Sequence, residues 1–199
     1  MKAGGFSRPY KGLSICGDSF VIEERDGAFL AAVIDGLGHG YESSVAAERA
    51  VEVIRECADL PVGSILMRCH QELRVTRGAA VGVLKVDESG EGEFCGIGNI
   101  EVQALNGQAP SVFCLAGIVG HNVRTSKVMR VAMKPGDIYV LMSDGVSTRG
   151  NLKSCLPGPP ETVARRIVES WGKDHDDATA LIVGFGEAAL LADAAPAGR

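Results

Sequence analysis

The chain has 199 residues, 46% of them hydrophobic and 23% charged, with 25 acidic against 20 basic side chains and a net charge of −5. That composition is globular, long enough for one sizeable core, and excludes a disordered chain. With no lysine- or arginine-rich block it also excludes binding to nucleic acid through phosphate neutralisation. No apolar run is long enough to cross a bilayer, and MKAGGFSRPYKG has no secretory hydrophobic stretch, so a cytoplasmic protein with no membrane partner is expected. Cys16, Cys57, Cys69, Cys95, Cys114 and Cys155 form no CxxC pair and lie mostly in apolar runs, which reads as free thiols.

In chain order, SFVIEE and AFLAAVI flank Arg25, Asp26 and Gly27, the signature of a β-hairpin. YESSVAAERAVEVIRECA follows, with Val45, Ala46, Arg49, Ala50, Val53, Ile54 and Cys57 on one helical face. A second helix, SILMRCHQELRV, is predicted after Pro61. The pattern then turns to strands: AAVGVLKV, EFCGIGNIEVQAL and PSVFCL, separated by turns at 88–92 and at Asn106-Gly107. VRTSKVMRVAM, a Pro135-Gly136-Asp137 turn and IYVLMSDG come next, then a proline-started helix, PETVARRIVESWGK, and a last buried strand, TALIVGF. Two early helices and one late helix around antiparallel strands indicate an α+β layered domain over residues 1–186, with an alanine-rich tail over 187–199 that frays.

Aspartates recur where apolar strands meet polar or glycine-rich breaks: Asp18 in SICGDSF, Asp35 in VIDGLGHG, Asp144 in LMSDGVS, and Asp176/Asp177 in HDDATALIVGF. Each alone also fits an ordinary turn or loop. Together they describe carboxylates carried to the rim of a sheet, where they repel one another unless a cation lies between them. An all-oxygen set suits magnesium or manganese better than zinc, and Asp35 with the Gly36 carbonyl is a candidate oxygen pair. Two such ions bridged by a carboxylate favour phosphate-ester hydrolysis.

The ordered set GD, DGLGHG, SDG and DDAT, from Ser14 to Phe185, resembles the metal-dependent PPM (protein phosphatase type 2C) serine/threonine phosphatases. The pattern is most similar to the bacterial sporulation and stress-response branch, and within it to the small stand-alone phosphatases of stressosome feedback. The resemblance implies a four-layer αββα sandwich, two antiparallel sheets flanked by helices, with a two-ion Mn2+ or Mg2+ site between the sheet ends. It further implies that Asp35 bridges both ions, that Gly36 offers its carbonyl, that Asp144 and Asp176 bind one ion, and that Asp18 holds a water of the site. Asp177 stands where many relatives have asparagine, and is expected to support the site rather than bind metal. The implied substrates are phosphorylated STAS-domain stressosome proteins; the alternatives are a silent phosphoprotein-binding pseudophosphatase and a small phosphate-ester hydrolase.

Some positions depart from the family pattern. Leu37 stands where eukaryotic relatives carry a histidine, and His39, two residues on, is a candidate proton donor or a solvent-facing residue of a glycine turn. Arg8 and Lys11 are the available N-terminal cations for phosphate, although neither aligns clearly and both also read as surface charge. His70, His121 and Trp171 read as packing or solvent residues, and His175 is placed to orient Asp176.

Overall fold

A computed structural model describes residues 1–106 and 109–186, so the predicted Asn106-Gly107 turn and the 187–199 tail lie outside the described residues. Nine strands and three α-helices are described. One sheet has the order β2 (Asp18–Arg25), β3 (Ala28–Gly36), β4 (Ala79–Asp87), β5 (Glu91–Ile97), β7 (Met129–Ala132). The other has the order β1 (Lys2–Arg8), β9 (Ala178–Gly184), β8 (Ile138–Met142), β6 (Glu101–Asn106). All ladders are antiparallel. Helices α1 (Tyr41–Glu56) and α2 (Val62–Glu72) cover the first sheet, and α3 (Pro160–Trp171) covers the second. The result is the expected αββα sandwich.

Burial on both faces explains why the central strands read as continuous apolar runs. Along β3, Leu30, Ala32 and Ile34 pack under α1 and α2, while Phe29, Ala31 and Val33 point into the layer between the sheets. Strand β8 does the same, with Ile138, Val140 and Met142 against α3 and Tyr139 and Leu141 inward. A polar side chain inside either strand would be stranded in a core, so the acids can stand only at strand ends.

The β2–β3 hairpin turns through Asp26 (φ 52°) and Gly27 (φ 73°), the paired positive dihedrals that match the twist of the flanking strands. Strand β3 meets α1 at Gly36, where a Cβ would lie 2.2 Å from the Ser43 carbonyl oxygen, so only glycine permits this approach. The helix correspondingly buries small residues, Ser43, Ala46, Ala47 and Ala50, ahead of Val53 and Ile54. The predicted face is therefore rotated: Ala47 is buried, and Val45 is 37% exposed.

Three further sequence expectations are corrected. EFCGIGNIEVQAL is two strands, because the backbone at Gly98 takes a φ of 105° and the chain crosses from one sheet to the other. PSVFCL forms no strand; Leu115 makes a single bridge to Ile97, and along Glu91–Phe94 the edge of β5 is occupied by β7. Of VRTSKVMRVAM only Met129–Ala132 pairs. Strand β1 was not expected, since its glycines are poor strand formers. They serve close packing instead: a Cβ on Gly4 would lie 2.4 Å from the Glu161 backbone nitrogen of α3, and one on Gly5 2.8 Å from the Phe20 ring.

All six cysteines are free, with Cys69, Cys95 and Cys155 buried. Trp171 packs against the α3 core, and His70 is buried, its Nδ1 accepting from the Gly120 N–H at 3.0 Å. Among the described residues no helix is long and apolar enough to cross a membrane.

Lys85 on β4 ties the chain after α1 to the sheet. Its Nζ donates to the carbonyls of Ala58, Asp59 and Leu60 at 2.8, 2.9 and 3.0 Å. Replacing Lys85 with methionine keeps much of the stem and removes these charge-assisted bonds, so a loss of about 2 kcal/mol is expected. Urea denaturation checks it: the midpoint should fall with an unchanged slope, and a shift under about 0.5 kcal/mol would refute the tether.

Candidate metal centre

The acids converge because adjacent antiparallel strands begin and end at the same rim. Asp18 opens β2 and Asp35 lies one residue before the end of β3, and their register sets them directly opposite one another. Asp144 follows β8 by two residues and Asp176 precedes β9 by two, on neighbouring strands of the other sheet. Ser143 joins the sheets here. Its hydroxyl donates to Asp18 Oδ2 at 2.6 Å and accepts from the Thr179 N–H at 2.9 Å.

The electrostatics of this cluster are those of uncompensated negative charge. Burial, then the charges of Asp18, Asp144, Asp176 and Asp177, push the Asp35 carboxyl up to about 8. Burial likewise raises Asp18 to about 7, with the Ser143 hydrogen bond opposing and Asp177 reinforcing the shift. Asp176 is raised by burial and by Asp144. Among the described residues, none of these acids forms an ion pair.

Neighbouring groups hold the carboxylates in place. Asp144 Oδ2 accepts from Asn99 Nδ2 at 2.6 Å, and its backbone carbonyl accepts from Lys173 Nζ at 2.5 Å. Asp177 is only 2% exposed; its Oδ1 accepts from the Tyr10 N–H at 2.8 Å, while its buried Oδ2 has no partner. Asp176 Oδ1 accepts from the Asp177 N–H at 3.0 Å. Gly145 lies so close to this segment that a Cβ would sit 1.7 Å from the Asp177 carbonyl oxygen.

Carboxylate oxygens that raise one another's proton affinity, with an orphaned acid oxygen buried beside them, fit a hard divalent cation. Among the described residues no group of three or more His, Cys, Asp or Glu side chains is close enough to hold a metal ion by itself.

The other predicted residues fall at the margins. His39 is exposed, its ring 5.1 Å from that of Tyr10 and tilted by 36°. Arg8 donates to the Lys173 carbonyl at 2.6 Å and lies 3.7 Å from Asp174, and Lys11 pairs with the same Asp174 at 2.8 Å. Both N-terminal cations are thus engaged within the fold. Ser143, Asn99, Tyr10 and Lys173 were not anticipated. Ser143 had a signal, its place beside Asp144 in SDG, whereas the others come from distant positions whose sequence context is unremarkable.

Residues 25–186 match the family of Stage II sporulation protein E (SpoIIE). The chain belongs to the SpoIIE family. Phosphoserine phosphatase RsbX of Bacillus subtilis (strain 168) is 28% identical over 149 residues, 72% of this chain and 75% of RsbX. A solved structure from work on the bacterial stressosome, a modular system adapted to control secondary messenger signalling, superposes with a TM-score of 0.82 at 28% identity, covering 91% of this chain and 97% of the other. The structure of RsbX in complex with magnesium gives a TM-score of 0.77 at 24% identity, over 89% and 92% of the two chains. This SpoIIE-family chain therefore has the PP2C-type fold that its DGLGHG, SDG and DDAT segments suggested. Asp35, Asp144 and Asp176 lie inside the matched residues; Asp18 and β1 precede them.

The raised carboxyls have a consequence for stability. Asp18 and Asp35 titrate near 7 and 8 in the fold against 3.8 ordinarily, so the folded chain holds extra protons between those values. In chelator, their contribution is full below the ordinary value and is lost as pH rises through 7 and 8. The metal-free melting temperature should fall between about pH 5.5 and about pH 8.5, and Asp35→Asn or added magnesium should flatten the fall. A melting temperature that rises over this range in chelator would contradict the clustering.

Proposed function

We propose that this PP2C-type phosphatase hydrolyses phosphoserine or phosphothreonine on STAS-domain stressosome proteins in the cytoplasm, with two magnesium or manganese ions, and so resets a stress signal. The observation that carries the reading is the opposition of Asp18 and Asp35 across the β2–β3 ladder, joined at the same rim by Asp144 and Asp176. The likeness to RsbX and to a stressosome structure supports the substrate class. The magnesium-bound state of RsbX supports the metal.

In this reading Asp35 and the Gly36 carbonyl would hold the ions, with Asp144 and Asp176 as the further ligands, and Asp18 would hold a water of the site. When bound, the divalent ions supply the missing positive charge, acidify water and polarise phosphoryl oxygens. The protein's own share is positional. Ser143 fixes the Asp18 carboxylate, Asn99 fixes that of Asp144, and Asp177 stays beneath the site on the Tyr10 N–H. His39, exposed in the turn that follows Asp35, is the proposed donor of a proton to the departing serine or threonine oxygen.

Hydrolysis of an aryl phosphate with manganese or magnesium tests the chemistry. Chelator, Asp35→Ala and Asp144→Ala should each lower kcat by about a thousandfold or more, the scale of losing a principal electrostatic contributor to the transition state. Activity that survives all three would remove the metal mechanism. Phosphate release from a phosphorylated STAS-domain protein tests the substrate, and its failure with every such protein would remove the stressosome assignment alone.

A further inference from the structure

A cavity of about 600 Å3 opens directly off Asp144. One wall is apolar: Ile100 and Val112 are buried, and Phe113 stands 51% exposed. The lining also includes Ser147, Thr148 and Arg149 from the segment after Asp144, with Lys173 and His175 from the segment before β9. The hollow beside Asp35, about 310 Å3, has no cation in its lining.

Arg149 and Lys173 line the larger groove, and Lys127 stands over the Phe113 ring at 5.4 Å; apart from Asp144 itself, the only acid in the lining is Glu101. Of the lining cations Lys173 is spent on the Asp144 carbonyl, and cations outside the lining are spent as well: Arg8 and Lys11 on Asp174 and Arg77 on Glu42. Among the described residues Arg149 has neither an ion pair nor a side-chain hydrogen bond. About 600 Å3 is the size of a site for a ligand much larger than a phosphate group, so the cavity that includes Asp144, Arg149 and Phe113 has room for side chains that flank one.

We propose that the groove seats the chain flanking the phosphorylated residue, with the Phe113 wall taking an apolar side chain and Arg149 an acidic one. The domain would then select phosphoserine or phosphothreonine in segments that carry apolar and acidic neighbours. The inference rests on the phosphatase reading above.

The test uses two synthetic phosphoserine peptides and an aryl phosphate with the metal-loaded protein. In one peptide leucine and then glutamate flank the phosphoserine on each side; in the other all flanking positions are glycine. The wild type should favour the first by about tenfold in kcat/KM, mostly through KM, since an apolar anchor and a charge contact together supply about 1.4 kcal/mol or more. Arg149→Ala and Phe113→Ser should each remove about threefold of that preference and leave aryl phosphate turnover within about twofold. Equal use of the two peptides, a preference intact in either variant, or a parallel fall in aryl phosphate turnover would overturn the groove. Fluorescence anisotropy of the labelled peptides separates the two readings. If the wild type turns over no substrate, the phosphatase reading fails; Arg149-dependent binding of the first peptide would still uphold the groove, and its absence would overturn it.

Discussion

The rest of this molecule is arranged around a carboxylate pair in an unfavourable place. Asp18 and Asp35 face each other at the end of one ladder, largely removed from water, with further acids arriving from the second sheet. Burial and like charge both oppose ionisation there. Such a cluster persists because the surrounding fold is strong enough to hold it, and it is discharged when protons or a divalent cation enter.

The fold holds it by burying two sheets on both faces. A strand such as β3, sandwiched between helices and a second sheet, leaves no interior position for a polar side chain, so every acid it carries is displaced to an end. Antiparallel pairing then brings starts and ends together at one rim. The Ser143 hydroxyl couples the sheets at that rim, linking Asp18 to the backbone of Thr179 across the seam. Gly36 and Gly145 permit the backbone approaches that bring α1 and the segment before β9 near the acids, where any side chain would collide.

The site is asymmetric. On the Asp35 side the hollow is smaller and has no cation in its lining, whereas the cavity on the Asp144 side is lined by an exposed aromatic ring, Phe113, and by the Arg149 guanidinium. The N-terminal cations, the natural candidates from sequence, are bound to Asp174 and serve to pin β1 and its loop to the segment before β9.

Local chemistry made much of this legible in the chain itself. Asp26-Gly27 between two strand-like runs determined a hairpin, the apolar run ending at Asp35 determined a strand closed by an acid, and the ordered GD, DGLGHG, SDG and DDAT segments determined the acids and their family. Those signals depend on neighbours a few residues apart. What the tertiary structure decided depends on partners far away in sequence. The glycines of β1 make sense only beside α3 and Phe20, the break at Gly98 only because two sheets must be joined, and the exposure of Val45 only because small residues let α1 approach the sheet. The hold of Ser143 on Asp18, the capture of Arg8 by Asp174, and the freedom of Arg149 are likewise decided by packing across sheets, where hydrogen-bond and charge partners are assigned by geometry that no local pattern encodes.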